Sequence, residues 1–171
     1  MTSITIGNNV QTISNYMCDN CIKLTSITIP NSVTSIDNYA FSNCTSLISI
    51  TIPDSVESIN NYAFANCSSL ESTIIPDSVE SIGSYTFWGC TSLTSIIIGN
   101  SVESISESAF YYCPNLASIT IPNSVESIGY LAFSGCSNLT ATFEGRTQAD
   151  IDVMANHYWG LESNQCVPGI S

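Results

Sequence analysis

The sequence predicts a repeat solenoid, one strand per coil, with the strands stacked as a parallel β-sheet. Three observations predict it. Six cysteines, Cys21, Cys44, Cys67, Cys90, Cys113 and Cys136, stand 23 residues apart without an insertion or deletion. Leucine, valine, isoleucine and phenylalanine columns keep the same period: Leu24 to Leu139, Val10 to Val125, Ile13 to Ile128 and Phe41 to Phe133. Each unit also repeats one short alternation of apolar and hydroxyl residues. A unit this short cannot bury its apolar face alone, so the period requires that each coil stack on the next.

Within a unit the elements follow in order. Leu24 leads into Ser26-Ile27-Thr28-Ile29, where Ile27 and Ile29 face one way and Ser26 and Thr28 the other, the signature of a strand with one buried face. Pro30, Pro53, Pro76 and Pro122 follow directly, with Gly7, Gly99 and Gly145 in the same place elsewhere, and both residue types end a ladder. Val33 and Ile36 bring a return segment back to the core. Tyr39-Ala40-Phe41 sets a small residue beside a large ring, as a tight helical turn would, before Cys44 closes the coil. Six such units and part of a seventh fill residues 1–143, and 144–171 are expected to form a C-terminal cap. Thr73 and Thr142 stand for the inward isoleucine, Thr86 for alanine and Cys18 for the ring, which puts local packing in question rather than the fold.

In the cap, Thr147-Gln148-Ala149-Asp150 offers an N-cap with an acid three residues on, predicting a short helix. Ile151, Met154, Ala155 and Tyr158 fall at helical spacing as one apolar stripe, with Asp150, Asp152 and Asn156 off it. Trp159 and Gly160 are expected to end the helix. Its role is to shield the last coil, since solenoids need polar-faced ends; a docking helix for a partner is the alternative.

Composition narrows the partners. Of 171 residues 44% are hydrophobic and only 9% charged, and 14 acids against 2 bases give a net charge of -12. With Lys23 and Arg146 as the only fixed cations, nucleic acid is excluded as a partner class, because that affinity comes from neutralising phosphates. An acidic membrane surface is disfavoured for the same reason, and no run approaches the roughly 20 apolar residues of a membrane helix. No basic-then-apolar export signal is present. Met1-Thr2-Ser3-Ile4-Thr5-Ile6 already follows the strand pattern, as expected of a segment cut from a longer protein or lacking a cap.

The pattern L-x-S-I-T-I-P-x-S-V-x-S-I-x-x-x-A-F-x-x-C resembles the BspA-like leucine-rich repeat family over residues 1 to about 143. The resemblance implies a right-handed leucine-rich-repeat superhelix with its parallel sheet on the concave face and helical turns opposite. It further implies an extracellular or cell-surface location and binding of matrix proteins or other cells. The run from Phe143 to Leu161 also resembles tail segments that follow such repeats in gut-bacterial and phage proteins.

Reactive groups are weighed against that frame. Six of the eight cysteines share one repeat position, so they read as a ladder of small buried hydrophobes whose parallel Cβ vectors suit disulfides poorly. Cys18-x-x-Cys21 has zinc-like spacing but lacks further ligands; Cys166 is a leftover thiol. His157, the single histidine, has no Ser or Cys set for nucleophilic attack. Paired acids in a cleft and a glycine-rich phosphate loop are both missing, so the sequence predicts no enzyme, no metal and no cofactor. Asn43-Cys44-Thr45, Asn66-Cys67-Ser68 and Asn138-Leu139-Thr140 match a glycosylation pattern that arises easily in Asn- and Ser-rich repeats.

Two surfaces remain as binding candidates. Ser26, Thr28, Ser49, Thr51, Ser72, Ser95, Ser118 and Thr120, preceded by Ser3 and Thr5, make two outward hydroxyl columns, interrupted by Ile74 and Ile97. An apolar spot rimmed by hydroxyls has the anatomy of an interface centre, although β-branched residues of any polarity suit a strand. Glu57, Glu80, Glu103 and Glu126 form an acidic column about one strand spacing apart, either a solvated face or a site for a divalent cation or a basic partner. The leading function is a recognition or adhesion module for a protein or cell-surface ligand on the strand face. Its rival is a structural component of a virion, fibre or surface array that self-associates end to end, through the raw first strand around Ile4 and Ile6. Ice binding by the Ser-x-Thr face is a minor third reading, set against the concavity of such sheets.

Overall fold

The computed structural model describes residues 2–154 and 158–169, which form a parallel-strand β-solenoid of seven coils with one short α-helix near the C-terminus. Two ladders run its length. The front sheet stacks the predicted strands: Ser3–Thr5 on Ser26–Thr28, then by single bridges through Thr51 and Ser49 to Ser72–Ile74, Ser95–Ile97, Ser118–Ile121 and Thr140–Phe143. The second sheet stacks six two-residue strands, Thr12–Ile13, Ser35–Ile36, Ser58–Ile59, Ser81–Ile82, Ser104–Ile105 and Ser127–Ile128. All pairs are parallel, and through the sixth coil partners lie 23 residues apart, the only offset that keeps every inward residue inward.

The third side of each coil carries no helix. Tyr39 and Asn43 have φ of +58° and +57° and their counterparts +53° to +82°, and alternate residues donate N–H groups to the next coil: Tyr39 to Asn61 O at 3.1 Å, Phe41 to Ala63 O at 2.8 Å, Asn43 to Ala65 O at 2.7 Å. Residues between them close turns within the coil, Ala40 N–H to Asp37 O and Ser42 N–H to Tyr39 O, both at 3.2 Å. A helical turn would point these N–H groups along its own axis and leave the neighbouring coil's carbonyls unsatisfied. Two left-handed residues four apart, as at Tyr39 and Asn43, serve both needs.

The core is a stack of identical layers. Phe41, Phe64, Phe87, Phe110 and Phe133 are fully buried with ring centroids 5.4 Å apart and nearly parallel planes. Three of the four departures from the pattern are accommodated in place. Thr73 donates its hydroxyl to Ile50 O at 3.2 Å, Thr86 donates to Gly83 O at 2.7 Å, and Cys18 is buried in the ring's place. Edge carbonyls are satisfied by side chains one coil on: the hydroxyls of Ser32, Ser55 and Ser124 donate to Val10, Val33 and Val102 O at 2.7 to 2.8 Å.

The seventh coil corrects two expectations. Ser118–Ile121 pairs with Thr140–Phe143 at an offset of 22, not 23. Thr142 is therefore outward, opposite Thr120; Ala141 and Phe143 face in, and Glu144, not Gly145, follows the strand as Pro122 does. One residue is missing after Leu139, and the chain keeps the strand's in-out pattern at the expense of the period.

The cap is built from three pieces. A helix spans Gln148–Met154, started by a reciprocal box in which Thr147 N–H donates to Asp150 Oδ2 at 2.8 Å and Asp150 N–H to Thr147 Oγ1 at 3.3 Å. Ile151 is buried and Met154 half-buried, as the stripe predicts; Ala155, Asn156 and His157 lie outside the described residues. Tyr158, placed on that stripe by its spacing, is exposed beyond the helix. Trp159 is buried and packs on Phe143 at 5.7 Å, and its carbonyl accepts the Phe133 N–H at 2.9 Å. Gly160 follows at φ +83°, where a Cβ would come within 2.5 Å of Ser134 Cα. Finally Cys166–Pro168 adds a strand to the front sheet, pairing Ala141 with Cys166 and Phe143 with Pro168.

Candidate functional site

The ladder geometry sets the candidate site. Ser26, Thr28, Ser49, Thr51, Ser72, Ile74, Ser95, Ile97, Ser118 and Thr120 are all exposed on the front sheet, because each alternates with a buried isoleucine or threonine fixed by the core. Ile74 and Ile97 are direct partners in register and stand 56% and 60% exposed, which for a large aliphatic side chain is a cost the fold does not require. They line a shallow depression of about 520 Å³ together with Ser49, Thr51, Asp54, Ser72, Thr73 and Ser95. Hydroxyls ring the two side chains on the strand axis, and one carboxylate lies at the turn edge.

Glu57, Glu80, Glu103 and Glu126 are also exposed and in register, Glu103 N–H donating to Glu80 O at 2.8 Å and Glu126 N–H to Glu103 O at 2.7 Å. They precede the second sheet, and none lines the front depression. The two candidate surfaces are thus separate. Among the described residues, no group of three or more His, Cys, Asp or Glu side chains is placed to hold a metal ion.

The cysteine column is a hydrogen-bonded ladder. Cys67, Cys90, Cys113 and Cys136 donate their thiols to the carbonyls of Phe41, Phe64, Phe87 and Phe110 at 3.1 to 3.3 Å, and Cys44 donates to Cys18 O at 3.2 Å. Burial pushes the Cys44 and Cys90 thiols up to about 12. All eight cysteines are free.

Two features lie outside what the repeat pattern predicts. Tyr16, Tyr39, Tyr62 and Tyr85 stack face to face along the third side, centroids 4.6 to 4.8 Å apart and planes within 8°. Their 23-residue spacing is visible in the sequence, but which way the rings point depends on the left-handed backbone beneath them. Ile48 is a third exposed aliphatic, 49% open, just before the front strand of its coil.

The comparisons agree with this architecture. A family model described as the BspA type leucine-rich repeat region matches residues 11–140 in six copies. The chain belongs to that family. No curated protein sequence matches it. Among solved structures, a leucine-rich repeat protein of T. pallidum superposes with a TM-score of 0.82 at 25% identity, covering 94% of this chain and 87% of that one. A leucine-rich cell surface protein of Faecalibacterium prausnitzii gives 0.64 at 31% identity, covering 84% of this chain and 48% of the other. The pneumococcal vaccine antigen PcpA gives 0.64 at 26% identity, over 83% and 38%. The chain thus spans about half the length of the F. prausnitzii protein. BspA-type repeats of surface proteins are interaction or adhesion modules as a class, and no helix among the described residues is long and apolar enough to cross a membrane.

Proposed function

We propose that the chain is a non-enzymatic recognition or adhesion module, at the cell surface or outside it, that holds a protein or cell-surface ligand on its front sheet. The observation that carries this reading is the exposed Ile74–Ile97 pair within a field of hydroxyls. Short hydroxyl side chains have little rotamer entropy to lose on binding, and two adjacent aliphatics supply the desolvated centre. The surface is acidic overall, so a partner with basic groups at its rim gains in encounter rate. The test is adhesion to surfaces coated with extracellular-matrix proteins. Wild type should bind and Ile74→Asp with Ile97→Asp should not; a double variant that binds normally, while Glu80 and Glu103 substitutions abolish binding, would move the working surface to the acidic column.

The structural reading, assembly through solenoid ends, has one observation in its favour. In the first coil Tyr16, Met17 and Ile22 are exposed and Ile4, Val10 and Cys21 only half-buried, whereas the next coil buries Ile27, Val33, Ala40 and Cys44. Ile151, Trp159 and Cys166–Pro168 cover the last coil, so under this reading the first coil makes the contact. Light scattering across a concentration series decides it, and monodisperse monomers would count against it.

A further inference from the structure

In coils two to six, the turn that closes the coil carries a phenylalanine and, three residues on, a cysteine; in the first coil alone both positions are cysteine, Cys18 and Cys21. That turn is hydrogen-bonded, Cys21 N–H to Cys18 O at 3.2 Å, with Asn20 in the left-handed region at φ 58°. A turn of this kind holds its first and fourth Cα atoms within about 7 Å, and a disulfide needs about 4.4–6.8 Å. Both side chains point into the same end of the core. Cys18 is buried in the core cluster, while Cys21 packs against that cluster and is only half-buried.

We propose that Cys18 and Cys21 are a redox-active pair that closes an intramolecular disulfide across the first coil's turn on meeting a low-molecular-weight disulfide such as oxidised glutathione. Cys21, the reachable thiol, loses its proton and attacks one sulfur of the small disulfide, releasing one equivalent of small thiol and leaving a mixed disulfide on Cys21. Cys18 then loses its proton and attacks the Cys21 sulfur, breaking the mixed bond and releasing the second equivalent. Two protein thiols are oxidised, one small disulfide is reduced to two thiols, and both protons end on the products. The remaining column takes no part. Its members point in parallel, one coil apart, and donate their S–H groups to backbone carbonyls, as Cys44 does to Cys18 O at 3.2 Å. The bond would pin the left-handed turn that carries Asn20.

The test is acid-quenched peptide mapping of the full chain after incubation with millimolar oxidised glutathione, read at Cys18 and Cys21. Wild type should yield a peptide about 2 Da lighter, with the link between these two residues. Cys18→Phe restores the residue found in coils two to six, so the variant should fold, and it should stop at a glutathione adduct on Cys21. A persistent adduct on Cys21 in wild type, a link from Cys21 to Cys44, or both thiols remaining free would each overturn the proposal.

Discussion

Replacing Phe87 with alanine tests the solenoid's core most directly. Phe87 is fully buried, and its ring is sandwiched between Phe64 and Phe110 at 5.4 Å on each side. A buried Phe→Ala change costs about 3–5 kcal/mol, the spread reflecting how far the site can collapse. Here it cannot collapse far, because the backbone ladder fixes the coil spacing: Phe64 N–H donates to Thr86 O at 2.9 Å and Phe87 N–H to Ala109 O at 2.8 Å. The upper part of the range therefore applies, about 4–5 kcal/mol, and for a chain this size that lowers Tm by about 8–20 °C. Urea and thermal unfolding followed by circular dichroism measure it, with exposed Thr120→Ala as the control, expected within about 0.5 kcal/mol of wild type. The variant should also show a lower m-value, because the gap lies mid-array and uncouples the coils on either side. A loss below about 1 kcal/mol, or an equal loss in the control, would refute the argument that these rings are the core.

The other predictions are independent of it. Ile74→Asp with Ile97→Asp should leave the circular dichroism spectrum unchanged and Tm nearly so, since both side chains are more than half exposed; a large drop in Tm would mean that the pair is structural. Gly160→Ala should destabilise the cap, because Gly160 has φ +83° and a Cβ there meets Ser134 Cα at 2.5 Å, and faster hydrogen exchange at Phe133 and Leu131 would report it. Burial raises the thiol of Cys18 from 9.0 to about 11 and those of Cys44 and Cys90 to about 12. The native state thus keeps protons that the unfolded chain releases, so stability is full below pH 9 and falls as pH climbs toward 11 to 12; a flat Tm across that window would contradict it. Glu57, Glu80, Glu103 and Glu126 stacked in register repel one another, so sodium chloride should raise Tm, and calcium chloride at equal ionic strength should do no more. A specific calcium effect would assign the column a cation site.

Much of the candidate site is legible in the sequence because outward and inward residues alternate with a period of two inside a unit whose own period is 23. Ile74 and Ile97 interrupt the Thr column in the sequence itself, and their pairing in register over a depression is what the fold adds. Ile48 is not legible. It lies in the kink between Leu47 and the front strand, where neither alternation nor the helix period says which way a side chain points. The tyrosine stack is half legible, its spacing plain and its geometry hidden.

By itself the sequence determined the coil length, the identity of the core columns, the face each strand residue takes in the first six coils and the Thr147–Asp150 helix start. These are local or periodic facts, and a stacked array converts each of them into a contact with the same residue of the next coil. Only the tertiary structure decided the rest. The third side became a ladder with left-handed residues four apart rather than a helical turn, because every other N–H group is claimed by a carbonyl 22 residues away. The last strand slipped to an offset of 22, because keeping Ala141 and Phe143 buried outweighs keeping the period. Trp159 and Cys166–Pro168 went to the final coil because that coil, having no successor, left a ring face and a sheet edge to be covered.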